Sequence, residues 1–539
     1  MKKVFFSFVI LTSMFLQVRA TGLVTNTNQS ALFTRLQNRN ASTGIDAVYY
    51  NPAGVTKLGN GFFVSLNNQT ISQTKTVTTN FPFPASFFDK SREYVGDVRA
   101  PLYPGVYAAF NTGNLSFSLG FNPIGGGGGA KYKSGLPSFD MLLIQKGVSA
   151  IPGLLTASQI PTTKYGADIL FEGTSVYFGY QANIAYKIND QISVGAGIRM
   201  VSAKNTYNGS IKILINPNYT AFGSQYTGIM NPASEFFQAG NVALTQLAQG
   251  STSMAAGLTA AGLPPATPLT ALSTEQQGQI ATLLGPAGIS TTGMNVGTAI
   301  ATLNAVAPQY TTKAQAMADN ATATQDIEVK DVEEKGTGFT PILSINYSPS
   351  DMFNFSVRYE FKTKLTLKTT VPQGKGAGLF ENGKDKVADM PAMLAIGAEV
   401  KPIPGLAVSA TFNTFFDKNV DYSNGGNIDM IKRNYLEYGL GVEYGITNKL
   451  RASVGWLATN TGVLPEYQND QRFSSNSNSF GLGLGYRISP MIDINIGGQY
   501  SINSDYKKPY TLAPSVTYTE TYGKKTFILG IGLDFYFGK

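Results

Sequence analysis

The sequence predicts an all-β membrane fold: a 14-stranded antiparallel transmembrane β-barrel, plugged by its own N-terminal segment and topped by partly helical extracellular loops. Three observations carry that prediction. Apolar residues recur with a period of two instead of in runs, the connections between such segments alternate between short and long, and the chain is poor in charge yet neutral in hydropathy. Charged residues make up 14% of the 539, against about 25% in soluble domains, while the mean hydropathy is −0.04. Beyond the leading segment no apolar run reaches the roughly 18 residues that a membrane-spanning helix needs. The second face of each alternating segment is Gly, Asn, Ser or an isolated charge, which does not suit the inner face of a soluble sandwich.

The elements follow in chain order. Lys2 and Lys3 lead a greasy stretch from Val4 to Leu16, and Val18 and Ala20 stand at the −3 and −1 positions of a cut after Ala20. Residues 1–20 therefore read as a secretory signal peptide, too short to span a bilayer. Residues 21–60 do not alternate and are rich in Asn, Thr, Ser and Ala. Fourteen strands enclose a lumen too wide for wall side chains to fill, and this stretch is about the right size to plug it. The barrel is expected to occupy residues 61–539. Its clearest strand is Phe527, Leu529, Ile531, Leu533, Phe535 and Phe537 on one face, against Ile528, Gly530, Gly532, Asp534 and Tyr536 on the other. Short turns fall at Asn111–Asn114, Tyr186–Ile192, Tyr347–Phe353, Pro402–Gly405, Tyr444–Leu450 and Tyr486–Ile492. Long connections fall at 77–101, 122–172, 218–335, 370–390, 417–431, 460–479 and 502–525. The two kinds alternate strictly, as in outer-membrane barrels with short periplasmic turns and long outer loops. The 218–335 insert holds a capping box at Ser273–Gln276 and helical spacing at Val242, Leu244 and Leu247 and at Ile300, Leu303 and Val306.

Ala41-Ser-Thr-Gly-Ile-Asp-Ala-Val-Tyr-Tyr-Asn-Pro-Ala-Gly-Val55 resembles the N-terminal hatch of the FadL/TodX family of outer-membrane transport proteins, with the hallmark triplet at Asn51, Pro52 and Ala53. Tyr186–Gly197 resembles that family's periplasmic hairpin after its fourth strand, and the C-terminal Phe535-Tyr536-Phe537 resembles the insertion signal of such barrels, departing from it by the trailing Gly538-Lys539. The resemblance implies a monomeric bacterial outer-membrane protein that passively takes up hydrophobic molecules, mainly long-chain fatty acids or aromatic hydrocarbons. Outer loops would capture the substrate, a greasy lumenal pocket would receive it, and a hatch-gated lumen or a gap in the wall would release it. The alternative is a FadL-like barrel serving as a surface-assembly or secretion partner.

Candidate site residues follow from strand parity. Apolar residues on the other face of their strands turn Arg199, Arg358 and Lys362 inward, with Arg199 and Arg358 roughly 20 and 15 Å above their turns. A fatty-acid carboxylate in an apolar pocket needs such a cation; alternatively these cations pair with Glu360, Glu399, Glu437 or Glu443. Arg451 and Arg487, beside their turns, are expected to pair with the hatch. The third strand is expected to stop at Asn122 and Pro123, where Gly125 and Gly126 follow, and this break is the candidate lateral opening. The chain has no Cys and no His, which removes disulfides, thiolate and His chemistry and ordinary zinc sites. No enzyme activity, cofactor or metal is expected, and the dispersed positive charge argues against nucleic acid.

Overall fold

A computed structural model describes residues 27–537, apart from 86, 88–91, 146–159, 161, 218–219, 222–223, 226–229, 375, 377–379, 421–427 and 514–515. The signal-peptide segment lies outside the described residues. Fourteen long strands form one antiparallel wall: β1 (Gly61–Thr79), β2 (Glu93–Thr112), β3 (Leu115–Tyr132), β4 (Thr162–Lys187), β5 (Ile192–Pro217), β6 (Ile327–Ser350), β7 (Phe353–Glu360), β8 (Met393–Ile403), β9 (Leu406–Phe415), β10 (Tyr435–Gly445), β11 (Leu450–Asn460), β12 (Ser477–Ser489), β13 (Ile492–Asn503) and β14 (Val516–Tyr536). Each pairs with its sequence neighbour, and β1 pairs with β14 from Phe63↔Tyr536 to Thr79↔Glu520, which closes the cylinder. Closure leaves neither the first nor the last strand as a free edge, as a sheet in hydrocarbon requires.

All six short turns sit at one end and all seven long connections at the other. The long connections are shorter than their spacing suggests, because the ladders run on past the membrane belt. The third strand continues through Asn122 and Pro123 to Tyr132, and the loop after it spans 133–161 instead of 122–172. Tyr506–Ala513 likewise forms a hairpin with the outer part of β14.

Side-chain parity separates two environments. Leu119, Leu343, Ile345, Leu440, Leu482, Leu529 and Ile531 are exposed on the outside, a greasy belt that lipid would cover. Facing inward are residues such as Ser65, Ser118, Asn183, Asn346, Asn354, Asn413 and Asn495, all buried. They are buried because the N-terminal segment fills the lower lumen. A Cβ on Gly441, Gly455, Gly481, Gly497 or Gly530 would strike Leu36, Gln37, Thr34 or Arg35 of that segment. The glycines on the inner face of the alternating strands are thus the room in which the plug sits.

Four outer helices crown the barrel: the short α1 (Pro137–Gln145), and the pair α2 (Ala233–Ala260) and α4 (Val296–Ala323), between which α3 (Thr274–Leu284) lies in the sequence. The expected capping box at Ser273 and Gln276 is present. The helices are longer than the local apolar spacing indicated, with 28 residues each in α2 and α4, or about 42 Å of rod.

Candidate functional site

The plug is built from short capped pieces. Ser30 accepts a hydrogen bond from the Phe33 amide and opens a helix at Ala31–Arg35. A single turn at Ala47–Tyr50 leads into Asn51, whose side chain caps a 3-10 helix over Pro52–Leu58. Pro52 belongs there, since the first helical position has no amide bond to lose. Asn51 does more than cap. Its Nδ2 donates to the Ser42 carbonyl (3.0 Å) and to Asn346 Oδ1 on β6 (2.7 Å). Around the wall, Gln181 and Asn183 on β4 donate to the Val48 carbonyl, Ser193 on β5 to Ala53, Asn354 on β7 to Ala41, and Arg35 reaches Ser453 and Asn495 on β11 and β13. Hydrogen bonds on all sides place the segment inside the cylinder and hold it as one body. Gln29 of its leading end accepts from Tyr107 Oη (2.6 Å) and from the Asn122 amide, and its own amide donates to Tyr50 Oη (2.9 Å).

The expected inward cations divide. Arg199 and Arg358 are both buried and flank the Tyr49 ring of the plug, their Cζ atoms 4.8 and 4.7 Å from its centroid. Arg199 is committed: it makes two bonds to Glu360 (2.6 and 2.9 Å) and donates to Gln181 Oε1. Arg358 donates from Nη1 to the Tyr49 carbonyl and approaches Glu360 at 3.4 Å, and its Nη2 has no hydrogen-bond partner among the described residues. Lys362 lies past the end of β7, is 40% exposed, and pairs with Asp389 at 2.8 Å. Arg451 and Arg487 differ from expectation. Both pair with wall residue Asp493, at 2.8 Å each, while the plug's own Arg35 takes Glu443. Asp493 is buried on β13, the strand next to Arg487's β12 and two strands from Arg451's β11. Sequence spacing did not reveal Tyr49 or Gln29; the only local signal was the adjacent Tyr49-Tyr50 pair.

Above the plug, Ile124, Tyr177, Val201, Ala203, Leu365 and Leu367 form an apolar layer continuous with Val48 and Tyr49. Beside it the wall is interrupted. The β2–β3 ladder runs from Thr112↔Leu115 to Val106↔Phe121, stops, and resumes at Asp97↔Lys131. Over the same stretch β3 keeps its partner β4, with register shifts between Pro123 and Gly125 and between Gly125 and Gly128. Pro101, Pro104 and Pro123 cannot donate amide bonds, and Gly126 holds a positive φ of 93°. Asn122, Pro123, Gly125 and Gly126 therefore all lie on one rim of the break, and Tyr103 Oη bridges it by donating to the Pro123 carbonyl (2.6 Å).

These features define a class: a closed fourteen-stranded barrel with an internal N-terminal plug. No family model and no curated protein matches the sequence. Among solved structures, a Pseudomonas aeruginosa FadL homologue matches over 96% of this chain and 100% of its own, with a TM-score of 0.55 at 12% identity. The Pseudomonas putida toluene transporter TodX covers 92% of this chain and 95% of its own (TM-score 0.46, 13% identity), and the Ralstonia pickettii toluene transporter TbuX covers 92% and 94% (0.44, 15%). The fold of this chain is that of the FadL homologue.

Proposed function

We propose that this protein is a passive outer-membrane conduit for hydrophobic small molecules, with long-chain fatty acids as the first candidates. The observation that carries the reading is the missing ladder between β2 and β3, which sits beside an apolar lumenal layer directly above the plug. Unpaired strand edges in lipid are costly, and a break beside an apolar layer offers an apolar molecule a way out through the wall. The likeness in fold to a FadL homologue agrees with it. In this reading residues 21–60 act as the hatch, Asn51, Pro52 and Ala53 fix its bend, and Asn122, Pro123, Gly125 and Gly126 line the exit. Of the three cations expected to meet a carboxylate, Arg358 has a donor left for one; Arg199 and Lys362 would first have to release Glu360 and Asp389. The native chain has no cysteine, so a Tyr103→Cys/Pro123→Cys pair bridged by a short bismaleimide is a clean test. Uptake of oleate and of toluene by cells should fall when the bridge forms and stay normal in the unbridged variant. Normal uptake through a bridged wall would refute the lateral route.

A further inference from the structure

Nearly every inward-facing cation in the lower lumen has a partner, but one pair higher up does not. Lys75 on β1 and Lys524 on β14 stand directly opposite each other across the seam that closes the barrel. Both belong to the inner face. Lys75 alternates with Val77 and Gln73, Lys524 with Tyr522 and Thr526, and both side chains are half-buried. Directly opposed residues place their Cβ atoms about 5 Å apart, and like charges there repel. Neither ammonium makes a hydrogen bond or an ion pair with any described residue. The same inner face of β14 carries Glu520 four residues further out, but that carboxylate accepts from Tyr522 Oη (2.6 Å). Thr526, just below, is likewise occupied, donating to Gln73 (3.1 Å). Two cations without an acid between them form a ready anion site, since a shared oxyanion removes the repulsion and takes charge-assisted bonds from both.

The surroundings say what kind of anion fits. Immediately outward, Val77 and Tyr522 pair with each other and belong to the buried core under the outer loops, together with Tyr94 and Tyr132. Immediately inward along the seam comes the polar pair Gln73 and Thr526, and beyond it Ile71 and Ile528. Lys75 also faces Gly96 on β2, and Gly96 is the last β2 residue paired with β3 beyond the outer end of the wall break. The site therefore has apolar surface directly on its outer side and again past Gln73 and Thr526 on its inner side, and it lies next to the proposed exit. A small hydrated ion gains nothing from those neighbours, whereas an amphiphile's tail does.

We propose that Lys75 and Lys524 bind the anionic head group of a single-chain amphiphile, a carboxylate, as it passes from the outer loops toward the plug. This rests on the conduit reading and deepens it by assigning the substrate's charge. Lys75→Met/Lys524→Met keeps both stems in place and removes both charges. Purified protein in neutral maltoside micelles is titrated with dodecanoate, dodecyl phosphate and dodecanol, and the same three are followed in uptake assays. The double variant should bind dodecanoate roughly tenfold or more weakly while dodecanol is unaffected, and should unfold at a higher temperature than wild type in the absence of ligand because the repulsion is gone. Preferential loss of dodecyl phosphate over dodecanoate would reassign the site to a phosphate head group and overturn the carboxylate claim. Unchanged dodecanoate binding, with all three compounds still transported, would overturn the inference and leave the conduit standing. Wild-type uptake of none of the three above the level of cells lacking the protein would overturn both.

Discussion

At the residue scale the plug is held by buried polar pairs whose loss has calculable consequences. Arg199 and Glu360 are both buried and bonded twice. Arg199→Met leaves Glu360 with only the 3.4 Å approach of Arg358, and an undercompensated buried carboxylate costs about 3 kcal/mol or more. Removing both charges, Arg199→Met/Glu360→Leu, should recover most of that. The temperature at which the barrel loses its compact electrophoretic mobility checks this; equal losses in the single and double variants would show that the pair is not what holds the site. Asn51 is a second such point. Asn51→Asp keeps the shape but replaces a double donor by an acceptor facing the Ser42 carbonyl and Asn346 Oδ1, a loss of about 1–3 kcal/mol per bond. Gly54→Ala should act similarly, since its Cβ would meet the Asn51 side chain and lie 2.7 Å from the Ser42 carbonyl. Both variants should raise single-channel conductance and sensitivity to polar antibiotics, with the barrel itself intact. Parity alone turned Arg199, Arg358 and Glu360 inward. That a tyrosine from a segment some 150 residues upstream of Arg199 lies between the two guanidinium groups could not be read, because long-range packing leaves no periodic trace.

At the element scale the strands and turns were legible because period-two alternation and turn chemistry are local. Strand ends were not, since an outer ladder in water needs no apolar face and carries no alternation. β3 passing through Pro123 and the glycines is the clearest case: bulges on the β4 side absorb residues that propensity would exclude. Pro101 and Pro104, which lie opposite that stretch, were a signal in plain view for the break. The outer loops carry a pH dependence. Asp417, buried at the start of the 416–434 loop, is pushed up to about 6 by burial, and burial also raises Asp470 in the 461–476 loop. Their native pKa values exceed the unfolded value of about 3.9, so the folded loops bind protons more tightly. Stability is then lowest with the carboxylates charged, and for Asp417 it rises as pH falls through about 6 toward 4. Amide exchange in these loops should be slower at pH 5 than at pH 8 after correction for intrinsic rates. Asp417→Asn, which keeps the acceptor for the Tyr435 amide, should abolish the difference in 416–434; a difference that persists would assign it to another group.

At the scale of the whole molecule the question is whether the plug moves. It is bonded to strands around the whole wall, and its leading end is tied at Gln29 to Tyr107 and Asn122, on either side of the wall break. A ligand resting on Tyr49 and the apolar layer can leave sideways without disturbing the plug core only if that leading end lets go. The opposite route, straight down, requires the Ala31–Arg35 helix to leave β13 and β14. The two routes are separable by one tether. A Cβ on Gly532 would lie 3.1 Å from Ala31 Cβ, close enough for a disulfide after a small relaxation. Ala31→Cys/Gly532→Cys should therefore oxidise spontaneously in the periplasm, and no native thiol competes with it. If transport proceeds through the wall, the oxidised variant should take up oleate at the rate of its reduced form, while a second tether across Tyr103 and Pro123 still blocks it. If transport proceeds through the floor, oxidation should stop uptake and a reductant should restore it. The polar ring around the plug favours the first outcome: every plug-to-wall bond broken on the downward route exposes a buried donor or acceptor, at about 1–3 kcal/mol each, whereas freeing Gln29 from the break gives up its bonds to Tyr107 and Asn122.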